Sequence, residues 1–152
     1  MKNIRELNNA EFSAIINNAL PFLHINPISE AVCIHAEAYK SGVDVNYIRC
    51  NVDWEGFSSL TEALETLYYE LFKGGIPSGE LLFFYPFNRT KKGNYGVILK
   101  SSQLLDFLIK EHLKIYPECF NVEMCSFGFY FIDHEIFYGM EHPDFLYSFC
   151  VR

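Results

Sequence analysis

The spacing of hydrophobic residues changes along the chain, and the changes mark helices and strands. Phe12, Ile15, Ile16 and Ala19 recur at three- and four-residue intervals, which predicts a helix over 9–20 that Pro21 ends. Ile28, Ala31, Val32, His35, Ala38 and Tyr39 form a second stripe. Ser29 is its candidate cap after Pro27, and Gly42 is its stop. Val32, Ile34, Ala36 and Ala38 also alternate as a strand would, so this segment carries both patterns. Over 43–52, Val43, Val45, Tyr47 and Arg49 fall on one side, which predicts a strand. Ser59-x-x-Glu62 then has the form of a capping box. Behind it, Leu60, Ala63, Leu64, Leu67 and Leu71 make the clearest helical stripe in the chain, stopped by Gly74-Gly75.

The second half is richer in strand patterns. "ELLFFYPF" and "NYGVILK" flank the turn-rich "NRTKKG" and predict a hairpin, with Pro86 placing its first strand near an edge. Ser101-Ser102 are candidate caps for "QLLDFLIKEHLKIY". Its stripe is Leu104, Leu105, Leu108, Ile109 and Leu113, and Pro117 closes it. From 120 onward the pattern is all strand. "FGFYFI" and "EIFYGM" flank a two-residue turn at Asp133-His134, and "FLYSFCVR" follows. Phe127, Phe129 and Phe131 fall on one side of their strand, and Gly128, Tyr130 and Ile132 on the other. Both sides are apolar, as in a central strand covered by helices. Helices come mostly first and strands mostly later. The expected fold is therefore α+β, a largely antiparallel sheet packed with about four helices in one domain over 1–152.

Composition sharpens this picture. Half of the 152 residues are hydrophobic, enough for a substantial core, and 17% are aromatic, more than core filling usually demands. Some rings are therefore expected at the surface, where they favour recognition. The net charge is −7, with residues 89–114 carrying +4 against −6 before them and −5 after them. An acidic surface repels phosphate, so nucleic acid is disfavoured as a partner and a basic protein is favoured. The first residues lack the pattern of a signal peptide, and no stretch has the uncharged apolar length of a membrane span. Five cysteines, Cys33, Cys50, Cys119, Cys125 and Cys150, lack CxxC spacing and read as reduced thiols, mostly core filler, so a cytoplasmic setting is expected.

Motifs for catalysis are absent from the sequence. His134 and His142 stand among Asp133, Glu135, Glu141 and Asp144, but an eight-residue separation matches no compact ligand motif, so turn and edge roles are expected and no metal. Cys33 and Cys150 lie in apolar contexts where thiols are inert, and no cysteine marks a clear helix start. "KGGIPSG" lacks the Lys-Ser/Thr pair of a phosphate loop, and the basic run from Arg89 to Lys92 reads as a solvated hairpin tip. No catalytic residue and no cofactor is expected. The remaining candidate is an acidic, aromatic face. Asp53, Trp54 and Glu55 precede the helix that carries Glu62, Glu65, Tyr69 and Glu70 away from its leucine stripe. A solvated helix face with Trp54 tucked into the core is one reading; anchors set in a negative field for a protein partner is the other.

In size, acidity and aromatic content the whole chain resembles the bacterial immunity proteins that neutralise contact-dependent and other polymorphic toxins. The resemblance implies a cytoplasmic module that binds a cognate, basic toxin domain, and it carries over no individual residue. The alternatives are a small enzyme with an aromatic-lined ligand pocket, or a phage or structural interaction protein.

Overall fold

The computed structural model describes residues 4–23, 33–85, 96–115, 126–141 and 145–151. Its organising element is the strand β5 (Ser126–Phe131), which is buried at all six positions. Side chains alternate across a strand, so an apolar element of this kind needs cover on both faces. It lies between β3 (Glu80–Phe84) and β6 (Ile136–Glu141). Beyond β3 are β4 (Gly96–Lys100) and the short β1 (Arg5–Glu6). Beyond β6 are β7 (Leu146–Cys150) and β2 (Asn46–Ile48). The sheet order is thus β1-β4-β3-β5-β6-β7-β2, with every pairing antiparallel.

The helices divide between the two faces. α3 (Leu60–Leu71) and α4 (Leu104–Lys110) pack on the face that carries Phe83, Phe127, Phe129 and Phe131. α1 (Asn9–Ala19) and α2 (Ile34–Lys40) pack on the face that carries Phe84, Tyr130, Phe137, Tyr147 and Phe149. A single turn, α5 (His112–Ile115), follows α4. The result is the expected α+β fold, with a sheet sandwiched between two helical layers. Among the described residues, no helix is long and apolar enough to cross a membrane.

Local signals explain the helix starts. Asn8 accepts from the Glu11 amide at 2.8 Å while Glu11 reaches back to the Asn8 amide at 3.3 Å, a full capping box ahead of α1. Ser59 accepts from the Glu62 amide at 3.2 Å at the start of α3, whereas the Glu62 carboxylate takes the Ser58 hydroxyl at 2.7 Å. Ala63, Leu64, Leu67 and Leu71 form the buried stripe of α3, and past its end Gly75 takes φ +106°.

Several expectations are corrected. The second helix begins at Ile34 with Cys33 as its N-cap, because a carboxylate from β6 supplies the acceptor there; Ile28, Ser29, Ala31 and Val32 lie outside the described residues. Its buried positions are Ile34 and Ala38, while Tyr39 is exposed. The strand expected over 43–52 pairs only at Asn46–Ile48; Val43 and Val45 instead pack beside the core under α2. β3 is an interior strand. It ends at Phe84, and Pro86 lies outside the described residues. The helix after Ser101-Ser102 starts with a 3-10 turn at Ser101–Gln103, and Gln103 Oε1, not a serine, accepts the Lys100 amide at 3.1 Å. It breaks at Glu111 and buries Phe107 beside Leu104 and Leu108. β5 and β6 are joined by four residues, 132–135, with Glu135 at φ +53°. The hairpin tip with Arg89 and Lys92, and also His142, Cys119 and Cys125, lie outside the described residues.

His112 is buried with its Nδ1 2.8 Å from the Tyr85 hydroxyl and its ring edge-on to Phe127. Burial pushes its pKa down from 6.5 to about 4. The unfolded chain therefore binds a proton at His112 before the folded one does. Stability is unaffected above the unfolded value and falls as pH drops from 6.5 towards 4, by on the order of 3 kcal/mol in total. Urea unfolding between pH 4 and 7 should show a dependence on pH that is steeper in the wild type than in His112→Asn, by up to one proton. Equal slopes would mean that His112 is protonated in the folded state.

Candidate functional site

The acidic face takes shape around α3. Asp53 is exposed and its Oδ1 accepts the Glu55 amide at 3.2 Å, which holds 53–56 as a turn ahead of the helix. Glu55 and Glu62 are exposed, Glu65 is half-buried, and Tyr69 is 61% exposed with its ring edge-on to Tyr68. No Lys or Arg among the described residues pairs with Asp53, Glu55, Glu62 or Glu65. Trp54 is half-buried, tilted against Phe57 at 5.8 Å and packed on the core beneath α3. Glu70 pairs with Lys73 at 3.3 Å.

Trp54 and Glu70 meet in an open cleft of about 700 Å³ between the chain that leaves β2 and the end of α3. Tyr47, Arg49, Cys50 and Lys73 complete its wall, so it holds both signs of charge. Lys73 also donates to the Arg49 carbonyl, which ties the two sides together. Glu70 and Trp54 thus belong to the cleft, whereas Glu62, Glu65 and Tyr69 form the outer surface of the same helix. Glu62 lies three residues from Glu65, and Glu65 four from Tyr69, which makes them neighbours on a helix.

A second cluster lies at the same end of the sheet, on the opposite face. Cys33 starts α2, and its side chain makes no cap hydrogen bond. Glu141, at the end of β6 and 1% exposed, supplies the acceptor in its place. Its Oε1 accepts the Ile34 amide at 2.6 Å and the Tyr147 hydroxyl at 2.9 Å. Its Oε2 lies 3.2 Å from Cys33 Sγ and 3.1 Å from His35 Nε2, and those two atoms are themselves 3.0 Å apart. His35 is held on three further sides: its Nδ1 is 3.0 Å from the Tyr47 hydroxyl, its ring stacks on Phe145 at 4.8 Å, and Tyr147 leans against it. Tyr147 reaches Glu141 because its cross-strand partner is Gly139; a Cβ there would come within 2.4 Å of the tyrosine ring and hydroxyl.

Partial burial, followed by the hydrogen bond and charge of Glu141, holds the Cys33 thiol up at about 11. At neutral pH it is therefore a protonated donor to the carboxylate and a poor nucleophile. Burial, then the same carboxylate, raises Tyr147 well above its ordinary value.

This cluster corrects the sequence reading twice. Cys33 and Cys150 are exposed rather than core filler, although the Cys33 thiol is unreactive as expected, and Cys33 does mark a helix start. His134 sits at an exposed turn, as expected, with its Nε2 3.1 Å from the Ser78 carbonyl; among the described residues the histidine that meets a carboxylate is His35. Cys33, His35 and Glu141 bring sulfur, nitrogen and oxygen donors together, a grouping that no spacing in the sequence marks. Glu141 lies 106 residues from His35, and the seating of the start of α2 on the end of β6 brings them together. The one local hint was a glutamate closing the apolar run "IFYGME". No family model, curated protein or solved structure matches the chain.

Gly139→Ala should displace the Tyr147 ring, break its hydrogen bond to Glu141 and lower stability by about 1–3 kcal/mol in urea melts. An alanine variant as stable as the wild type would show that the ring can leave Glu141 at no cost.

Proposed function

We propose that the protein is a protein-binding module whose contact face is the acidic, aromatic surface of α3 and the cleft beside it. The observation that carries this reading is Tyr69, 61% exposed beside Glu62 and Glu65, which have no cationic partner among the described residues, next to a cleft with Trp54 in its wall. Exposed tyrosine and tryptophan supply large contact area at low entropy cost, and unpaired carboxylates attract a basic partner over a distance. A basic toxin domain is a partner of this class, and the chain would act as its immunity protein.

The alternative of a small enzyme has less support. Arg49, Glu70 and Lys73 do converge with Tyr47 and Trp54, but they do so in an open cleft and not in a deep pocket. Carboxylates in the first turn of α3 also favour the helix dipole, a role that needs no partner. The two roles forecast different results.

The test is binding kinetics against the partner retained when the protein is purified from its own cells. Glu62→Lys with Glu65→Lys should slow association at low salt, and the wild-type rate should fall as salt rises. Tyr69→Ala should leave association nearly unchanged and speed dissociation, at a cost of about 2 kcal/mol. Unchanged rates for the double variant, with its fold intact by circular dichroism, would move the interface elsewhere. A mere loss of stability with unchanged binding would leave only the dipole role.

A further inference from the structure

Glu141 divides its two oxygens between two tasks. Oε1 is fully occupied by the Ile34 amide and the Tyr147 hydroxyl, which accounts for the structural need at the start of α2. Helix capping gives Oε2 no role, yet Oε2 is aimed at Cys33 Sγ and His35 Nε2. The three atoms form a nearly equilateral triangle with sides of 3.0, 3.1 and 3.2 Å. Each is a donor of the kind that binds transition metals, and the only interactions among them are shared protons.

We infer that Cys33 Sγ, His35 Nε2 and Glu141 Oε2 form a binding site for one divalent transition-metal ion of zinc's class, with a fourth coordination position open to solvent. The dimensions fit. The centre of such a triangle lies about 1.8 Å from each corner, so an ion at the usual ~2.0–2.3 Å sits about 1 Å above its plane. A tetrahedral ion spreads its ligands to about 3.3–3.6 Å, so each pair opens by a few tenths of an ångström. The exposed Cys33 gives the ion a way in and leaves the fourth position wet.

The surroundings are those of a metal site too. A ligating imidazole is oriented by a hydrogen bond at its other nitrogen, and the Tyr47 hydroxyl stands 3.0 Å from His35 Nδ1. With Nδ1–H donated to Tyr47, the lone pair of Nε2 faces the triangle. A ligating carboxylate is likewise fixed by hydrogen bonds, and Oε1 of Glu141 accepts two short ones. The stack on Phe145 and the contact with Tyr147 hold the imidazole plane. No Lys or Arg among the described residues pairs with Glu141, so no fixed positive charge competes with an ion. On binding, the Cys33 thiol proton leaves to solvent and a metal–thiolate bond replaces the S–H bond. A thiolate with one imidazole and one carboxylate suits zinc or cobalt and disfavours magnesium and calcium.

Titration with Co²⁺ and with Zn²⁺ tests the inference on the whole chain. Cobalt should bind one-to-one and give a thiolate-to-metal charge-transfer band, which equimolar zinc displaces and excess magnesium leaves in place. Cys33→Ser should abolish that band and weaken zinc binding at least tenfold in competition with a chromophoric chelator. Serine is a favoured N-cap, so this variant keeps the helix start and its fold can be checked by circular dichroism. His35→Asn should also weaken binding at least tenfold, while Cys150→Ser, which removes the other exposed thiol among the described residues, should match the wild type. A charge-transfer band that survives Cys33→Ser would overturn the site, as would zinc affinity equal in the wild type, Cys33→Ser and His35→Asn.

Discussion

The fold depends on one constraint: β5 has apolar side chains on both faces and no route to water. All six of its positions are buried. Hydrocarbon must therefore cover it from above and below, and the helices divide accordingly, α3 and α4 to one side, α1 and α2 to the other. Much of the aromatic content goes into this double burial. Phe83, Phe127 and Phe129 touch one another on one face; Phe84, Phe137, Tyr147 and Phe149 run in a chain of ring contacts on the other. A register slip of one residue would exchange the two faces, so the ring pattern fixes the pairing as firmly as the backbone ladder does.

Polar groups gather where this cover ends. β2 is only three residues long and closes the sheet at its β7 side. On one face of that border α3 leaves a cleft with Trp54 and Glu70; on the other, α2 starts with an amide that needs an acceptor. Burying a carboxylate is costly unless its lone pairs are filled. Glu141 meets that condition with an amide, a phenol, a thiol and an imidazole. The same residue therefore completes a helix and assembles a set of potential ligands.

Strand and helix patterns were legible in the sequence where one local rule dominated. Ser59 to Glu62 carries its cap within four residues, and the α3 stripe buries at Ala63, Leu64, Leu67 and Leu71 as its spacing marks. The two-sided burial of β5 followed from Phe127, Phe129 and Phe131 alternating with Tyr130. Legibility failed where distant residues decide. Cys33 looks like an apolar-context thiol until β6 delivers Glu141 beside it. Tyr39 lies at helical spacing with His35 but sits beyond the sheet's edge, so it meets solvent. β1 is two residues held by β4, too short to leave any periodicity. Of the acidic face, the outward placement of Glu62 and Tyr69 was readable from helix geometry. The cleft was not, because its second wall comes from β2 and the chain that follows it.

Tyr47 belongs to both sides of this border. It is one of the residues that line the cleft, while its hydroxyl holds His35 Nδ1 at 3.0 Å on the opposite face, and it is 48% exposed. An occupant of the cleft that shifts the β2 backbone at Tyr47 also shifts the hydroxyl that holds the imidazole, and whatever fixes the imidazole resists that shift. Thermodynamic linkage makes the exchange reciprocal: the free energy by which an occupant of the cleft alters the His35 cluster equals that by which the cluster alters the occupant. One residue of a three-residue edge strand thus gives the two faces of the sheet a shared mechanical part, through which each can report the state of the other.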